Sequence, residues 1–309
     1  MWPAPVSACG YPYARGLDFR HVDVFTDRPY AGNGLIVVYG GTGLRAEELL
    51  AITREMRQFE SIFVDLDAGR DVVTARVFTA EEELPFAGHP LIGAAAALHE
   101  RVAPADAERT WVFAIAGRTL EVASHHHGDY YAAAMNQGRP TISAPLPTST
   151  AAEFARVLNL EPGGARELPT QVVSTGLPYL ILPTTADALS GARIVVDDLK
   201  ARLAGVGAKF VYAFDPDRRE GRTWDNSGVV EDVATGSAAG PAAAYLLEHE
   251  RARPNEEIVL RQGRFAGRPS TMWVEPRADA NLWVGGAVAP VARGSLDALG
   301  SVRDAAGPG

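Results

Sequence analysis

Hydrophobic and polar residues alternate over many short stretches of this chain, which is the pattern of half-buried β-strands. In the stretch from Arg20 to Thr26, for example, single polar residues separate the valines. Strands of this kind are predicted at 20–26, 35–39, 61–66, 72–78, 110–116, 119–123, 130–135, 210–214, 257–261, 271–275 and 281–284. One more is predicted at the end of segment 172–183, after a glycine turn, and a polar turn is predicted at 124–129.

Helical spacing of apolar residues is rarer and predicts helices at 46–57, 151–158 and 197–204. Two alanine-rich helices are predicted after the glycine turns at Gly88 and Gly236. Since strands outnumber helices and βαβαβ alternation is absent, the sequence predicts an α+β fold of mostly antiparallel sheets. A doubly wound nucleotide-binding fold is disfavoured, because no GxGxxG follows a strand and no Walker loop occurs.

The two alanine-rich helices lie in an internal repeat. Aligning Gly88 with Gly236 also aligns the alanines 94–96 with 242–244 and Glu100 with Glu248. An offset of nearly half the chain predicts two pseudo-symmetric halves, each a curled sheet or barrel around a central helix. The alternative is an accidental alignment of two alanine-rich helices.

The repeat and the local composition together predict the domain boundaries. Residues 1–17 form an N-terminal extension, 18–136 the first domain, 137–150 a linker rich in Gly, Pro, Ser and Thr, and 151–300 the second domain. The C-terminal segment of the second domain is free to pack back on the first. The ends of the chain, including residues 301–309, are expected to fray.

Composition narrows the possible functions. The chain has 309 residues, of which 47% are hydrophobic and 22% charged, with a mean hydropathy of -0.04, as in soluble globular proteins. A net charge of -9 argues against a nucleic-acid or anionic-membrane surface. Cys9 is the only cysteine, so an intrachain disulfide or multi-cysteine metal site cannot form. With neither a signal-peptide pattern nor a membrane-span run, we expect a cytoplasmic protein, and exposed sheet edges make a homodimer possible.

Proton-transfer chemistry needs a carboxyl group in a dry pocket, where its pKa rises toward the working pH. Four carboxylates draw attention by their neighbours: Glu60, Glu83, Glu231 and Asp232. Glu60 is the best candidate, because it stands at a helix-to-strand junction beside Phe59 and close to Ile62 and Phe63. The alternative is an ordinary exposed glutamate at a strand start.

The helix starts offer anion sites. Gly88, Thr235, Gly236 and Ser237 bring small side chains and free N–H groups to the predicted starts, where negative charge is favoured. Simple helix capping is the alternative. Ser237 lacks the GxSxG elbow of serine hydrolases.

The histidines are not equally good candidates for functional residues. His89 follows Gly88 at the first helix start and could donate to an anion or act as an acid, although a core or capping histidine is the alternative. The run His125–His127 could bind a metal adventitiously, but it has no partner at ligand spacing, and no native metal site is expected.

Six motifs occur in order along the chain: VDVFTDRPYAGNGLIVV, FESIFV, ELPFAGHPLIGAA, VSTGLPYL, VVEDVATGSAAGPAAAYL and RQGRFAGRPS. Together they give the chain a resemblance to the PhzF-like isomerase family of phenazine biosynthesis, within the diaminopimelate-epimerase-like fold. The resemblance implies an active site in the cleft between two similar halves and a proton shift without metal or organic cofactor. It assigns the proton transfer to Glu60, supporting catalytic roles to His89, Asp232 and Ser237, and a place in the site to the backbone at Gly88.

The same resemblance separates the chain from the racemase branch of the fold, whose two opposed cysteines fall here on Ala87 and Thr235. A two-thiol mechanism is thereby excluded. A single carboxylate more naturally moves a proton along one face of a substrate, which favours an isomerase over an epimerase. The family pattern changes at Gly34, Ala80, Val233 and 224–227, and the last change points to a substrate other than the phenazine precursor.

The sequence therefore predicts a cofactor-independent isomerase that acts on a small carboxylated metabolite, in a phenazine-like or modified-proline pathway. Glu60 serves as general acid/base, and the backbone near Gly88, Thr235 and Gly236 binds the substrate carboxylate. Two alternatives stay open: a catalytically silent protein that binds a small anion, and a carboxylate-based epimerase or dehydratase.

Overall fold

The computed structural model describes residues 16–67, 72–85, 88–163 and 168–297. Most of the predicted N-terminal extension, residues 1–15, lies outside the described residues, as do Ala87 and the terminal segment 301–309. Within the described ranges every helix is too short or too polar to span a bilayer.

Sixteen strands and six helices form within these ranges. The strands of the first half are β1 (Leu17–Val24), β2 (Asn33–Tyr39), β3 (Glu60–Asp67), β4 (Val72–Phe78), β5 (Glu83–Leu84), β6 (Glu108–Ile115), β7 (Arg118–His127) and β8 (Tyr130–Asn136). The later strands are β9 (Thr141–Ile142), β10 (Gln171–Ser174), β11 (Pro178–Pro183), β12 (Phe210–Asp215), β13 (Glu220–Arg222), β14 (Ile258–Gln262), β15 (Ser270–Pro276) and β16 (Leu282–Leu296). The helices are α1 (Ala46–Met56), α2 (Gly88–Val102), α3 (Thr148–Val157), α4 (Ala186–Gly191), α5 (Leu199–Gly205) and α6 (Gly236–Glu248).

The first half is a closed barrel of eight strands around α2. Its strands follow the order β1-β2-β3-β4-β6-β7-β8-β16, and pairing of β16 with β1 closes the ring. Helix α2 is buried from Gly88 to His99, and it presents mainly alanine, glycine and leucine to the strands around it. Small residues are needed here, because a Cβ on Gly93 would lie 2.5 Å from Leu35 Cδ2.

The second half repeats this pairing scheme around α6. In the first half the pairs β1–β2, β2–β3, β3–β4, β4–β6, β6–β7 and β7–β8 run antiparallel, parallel, antiparallel, parallel, antiparallel and antiparallel. The pairs β10–β11, β11–β12, β12–β13, β13–β14, β14–β15 and β15–β16 run in the same succession. The predicted α+β fold with two pseudo-symmetric halves is confirmed.

Strand β16 joins the two halves. It pairs with β15 of the second half, and with both β8 and β1 of the first. In return, the chain after β8 continues into β9, which pairs with β10. Each half is therefore completed by a strand that the other half supplies or shares. Of the long strand β16, the strand predicted at 281–284 covers only residues 282–284.

The polar turn predicted at 124–129 is wrong for most of its length. Strand β7 continues through His127, because the histidine rings behave as aromatic strand residues. His126 stacks on Tyr131 with ring centroids 4.8 Å apart, and His127 stacks on Tyr130 at 5.3 Å. Cross-strand ring pairs of this kind stabilise an antiparallel ladder.

Candidate active site

Glu60 begins β3, three residues after α1 has ended in a left-handed residue, Arg57. Its side chain shares a face with Ile62, toward the core around α2, whereas Phe63 packs on the other face beneath α1. Only 7% of Glu60 is exposed. Phe59, its neighbour in the sequence, is 43% exposed.

His89, the second residue of α2, lies against this carboxyl group. Its Nδ1 is 3.5 Å from Glu60 Oε2, and both side chains are buried. Burial, with a smaller contribution from the charge of Asp232, raises the pKa of Glu60 to about 8. Burial lowers the pKa of His89 to about 3. Because burial opposes both charges, we interpret the contact as one between a neutral imidazole and a protonated carboxyl group at neutral pH.

Two buried atoms of this pair have no hydrogen-bond partner among the described residues, Glu60 Oε2 and His89 Nε2. Leaving a buried polar atom unpaired is costly in a native protein, and such atoms need a reason. A substrate that hydrogen-bonds to them supplies one.

Asp232 brings the second half into the site. It is half-buried, and its carboxylate accepts hydrogen bonds from Thr235 Oγ1 at 2.6 Å and Asn33 Nδ2 at 3.1 Å. Burial raises the pKa of Asp232, and these hydrogen bonds act in the opposite direction. Asn33 begins β2, so its side-chain amide links the first half to the second at this point. The same amide also donates to Ala234 O at 3.0 Å.

Thr235 holds Asp232 in place with the help of a residue that the sequence did not single out. Gln262 Nε2 donates to Asp232 O at 2.7 Å and to Thr235 Oγ1 at 2.9 Å. Gln262 is 1% exposed, and its Oε1 accepts from Tyr212 Oη at 3.2 Å. The Thr235 hydroxyl is therefore occupied by Asp232 and Gln262.

Ser237 lies beside a buried tyrosine that the sequence also missed. Tyr179 Oη and Ser237 Oγ are 2.7 Å apart. Burial raises the pKa of Tyr179 and the hydrogen bond to Ser237 lowers it, while the charges of Asp232 and Glu60 add smaller increases. The phenol therefore stays protonated close to both carboxylates. Its position within the motif VSTGLPYL was the available signal.

The starts of α2 and α6 touch each other. A Cβ on Gly88 would lie 3.2 Å from Ser237 N, and one on Gly236 would lie 2.9 Å from the Phe25 ring and 3.6 Å from His89 N. The first N–H groups of a helix have no intrahelical partner, so two such ends in contact concentrate donors and positive dipole charge at one place. This is a suitable environment for a substrate carboxylate.

Two of the four candidate carboxylates are engaged elsewhere. Glu83 pairs with Arg76 at 2.7 Å on the surface. Glu231 makes a two-point ion pair with Arg222, at 2.9 and 2.6 Å. Arg222 also donates to carbonyl groups at the end of α4, so Glu231 belongs to the packing of that helix although it is adjacent to Asp232.

The chain is similar to proteins of a known family. Residues 22–294 match the family model described as phenazine biosynthesis-like protein, PhzC-PhzF. Trans-2,3-dihydro-3-hydroxyanthranilate isomerase of Pseudomonas chlororaphis is 33% identical over 272 residues, which cover 84% of this chain and 90% of that protein.

Solved structures show the same fold. A structure described as a predicted epimerase from Pseudomonas aeruginosa has 48% identity and a TM-score of 0.86, covering 92% of this chain and 99% of its own. A probable proline racemase from Agrobacterium radiobacter K84 has a TM-score of 0.56 at 13% identity, covering 93% of this chain and 94% of its own. The second likeness shows the fold alone.

Proposed function

The chain belongs to the PhzC-PhzF family of phenazine biosynthesis-like proteins and is an isomerase, and we propose that it moves a proton between two carbons of a small carboxylated metabolite. In this proposal the ionised form of Glu60, in equilibrium with the protonated form, takes the proton from one carbon and, once protonated, returns it to the other. No organic cofactor or metal takes part.

One observation carries the proposal: a buried carboxyl group beside His89 whose pKa of about 8 lies near physiological pH, with its Oε2 lacking a hydrogen-bond partner among the described residues. A general base works best when its pKa is close to the operating pH, since it must both accept and return the proton. An ordinary surface glutamate would be fully ionised and a weak base. Burial thus gives Glu60 the basicity that proton abstraction requires.

The neighbours of Glu60 have distinct roles in the proposal. Neutral His89 has its Nδ1 3.5 Å from Glu60 Oε2, and its free Nε2 forms a hydrogen bond with the substrate. Asp232 adds negative charge that keeps the pKa of Glu60 high. Ser237 and the N–H groups at the starts of α2 and α6 hold the substrate carboxylate.

A single base favours isomerisation over inversion. Inverting a carbon centre needs a base on one face and an acid on the other, and the racemase cysteine positions hold Ala87 and Thr235 here. The Thr235 hydroxyl is engaged by Asp232 and Gln262. Glu60 therefore acts on one face and shifts the proton along it.

The substrate class in the proposal is a cyclic or amino-bearing carboxylic acid of a specialised-metabolite pathway, phenazine-like or proline-modifying. The named substrate of the Pseudomonas chlororaphis relative, trans-2,3-dihydro-3-hydroxyanthranilate, is the first compound to test. We place the enzyme in the cytoplasm, in keeping with its single cysteine, and regard a homodimer as its assembly state.

Deuterium exchange from solvent into substrate tests the proposal. The first probe is trans-2,3-dihydro-3-hydroxyanthranilate, followed by a panel of cyclic amino acids. The substitution Glu60→Gln removes the base but keeps the shape of the side chain, so the rate of deuterium exchange should fall by about 10²- to 10⁴-fold. The matched control is Glu83→Gln, because Glu83 is exposed and paired with Arg76 outside the site. Exchange that continues undiminished in the Glu60 variant would remove Glu60 from the mechanism.

A further inference from the structure

A cavity with four arginines in its lining adjoins the site around Glu60 without sharing its catalytic side chains. It measures about 550 Å³ and opens on the surface of the second half, where β13, β14 and β15 meet the β12–β13 turn. Its lining is Asp217, Arg218, Arg219, Glu220, Arg261, Gln262, Arg264, Pro269, Ser270 and Thr271. None of the side chains proposed for catalysis is among them.

The charges around this cavity do not cancel. Glu220 is neutralised by a two-point ion pair with Arg264, at 2.9 and 2.8 Å. Asp217 pairs with Arg251, which is not in the lining, at 3.3 Å. Arg218, Arg219 and Arg261 have no carboxylate partner in the described part of the chain. Three positive charges are thus left on one cavity of a chain whose net charge is -9.

The fold fixes the backbone that carries these arginines. Asp215 Oδ1 accepts hydrogen bonds from the N–H groups of Asp217 and Arg218, at 2.9 and 3.1 Å, which shapes the turn. Arg219 adopts a left-handed conformation with φ 53°, and its carbonyl accepts from Arg261 N at 2.8 Å. Clustering like charges on a defined backbone costs Coulomb energy unless a counter-charge binds between them.

The polar groups between the arginines suit an oxyanion. Arg261 pairs in register with Thr271, and both side chains are exposed on the outer face of the sheet. Guanidinium groups recognise phosphate oxygens through parallel N–H donors, and a threonine hydroxyl adds another donor. A single carboxylate would balance only one of the three unpaired arginine charges.

We propose that this cavity binds a small anion carrying one or more phosphoryl groups, held by Arg218, Arg219 and Arg261. The site is separate from the isomerase site and does not depend on its assignment. The floor residue Gln262 hydrogen-bonds to the backbone of Asp232, so the two sites adjoin.

Isothermal titration calorimetry of the full chain with inorganic pyrophosphate, at low ionic strength, tests this proposal. We expect saturable binding of one pyrophosphate per chain. Each of Arg218→Gln and Arg261→Gln should weaken it by about tenfold, since hydrogen bonds to charged groups carry energies of this order. Arg293→Gln, at an exposed strand arginine outside the cavity, is the matched control and should bind as the unmodified chain does.

Three results would overturn the proposal: no saturable binding, an equal loss in the Arg293 variant, or citrate binding as tightly as pyrophosphate. Citrate has comparable charge but only carboxylate oxygens, so it separates phosphoryl recognition from general attraction to anions. Thermal denaturation of each variant checks folding, and no change is expected because Arg218 and Arg261 are exposed.

Discussion

At the scale of single residues, the environment of Glu60 explains why one carboxyl group among many in an acidic chain is suited to proton transfer. Its partners come from positions far apart in sequence: His89 from α2, and Asp232 from the loop before α6. Neither of them neutralises it. The carboxyl group is buried but not ion-paired, in contrast to Glu231, the residue next to Asp232, which is ion-paired with Arg222.

This raised pKa has a consequence for stability. Between pH 4.5, the ordinary pKa, and about 8, the folded protein keeps a proton on Glu60 that the unfolded chain releases. The favourable contribution of this group to the free energy of unfolding is therefore complete below pH 4.5 and is lost as pH rises toward 8. Glu60→Gln lacks this dependence. We expect its stability relative to the unmodified chain to increase from pH 5 to pH 8, measured by urea denaturation at each pH.

Glu83→Gln is the control for this measurement. The pKa of Glu83 is lowered by the hydrogen bond to Arg76. Its contribution to the free energy of unfolding therefore changes only below about pH 4.5, outside the tested range of pH. We expect the free energy of unfolding of Glu83→Gln, relative to the unmodified chain, to stay constant between pH 5 and pH 8. The same constancy for Glu60→Gln would contradict the raised pKa of Glu60.

At the scale of elements, the site depends on two helix starts that approach each other closely enough to exclude side chains. Gly236→Ala would place a methyl group 2.9 Å from the buried Phe25 ring. Because a packed core resists such insertion, we expect a loss of about 1–3 kcal/mol in the free energy of unfolding, together with reduced exchange activity. Chemical denaturation and the deuterium assay measure the two effects.

Gly205→Ala is the matched control, since Gly205 also lies in a helix, α5, but has nothing within 4 Å of an added Cβ. Alanine there should leave activity unchanged and raise stability by roughly 0.5 kcal/mol through reduced freedom of the unfolded chain. If Gly236→Ala matched Gly205→Ala in stability and activity, neither property would depend on the close contact between the two helix starts.

The sequence predicted most elements because their patterns are local. Alternating polarity located β4 at its observed bounds, and the aligned glycines marked the first residues of α2 and α6. It missed the three-residue strand β13 and the six-residue helix α4, which are too short for a period to appear.

Contacts between distant residues were harder to predict than elements. The grouping of Glu60, His89, Asp232 and Ser237 came from family resemblance, and their closeness in space depends on how the halves pack. Tyr179 and Gln262 were missed because each looks like an ordinary strand residue until its partner on another element is known.

At the scale of the whole molecule, we propose that the halves 18–136 and 151–300 depend on each other for folding. A fragment comprising residues 1–136 lacks β16, which leaves β1 and β8 as open edges. Unpaired edges of this length promote aggregation. We expect this fragment alone to be unfolded or aggregated, and co-expression with residues 137–309 to restore a single cooperative thermal transition.

Size-exclusion chromatography and circular dichroism distinguish the outcomes for the fragments. A monomeric fragment 1–136 with its own sharp unfolding transition would show that the first half folds independently. Recovery of exchange activity in the co-expressed pair, but in neither fragment alone, is the expected result.

The pairing of Leu17 with Leu296 also constrains how the protein is made. A ribosome releases the N-terminus first, so β1 emerges long before the strand that completes its barrel. Until Leu296 has been synthesised, the first half has an incomplete wall around α2. We therefore expect this barrel to close only after β16 has left the ribosome, and until then the edges of β1 and β8 are open to chaperones that bind unpaired strands.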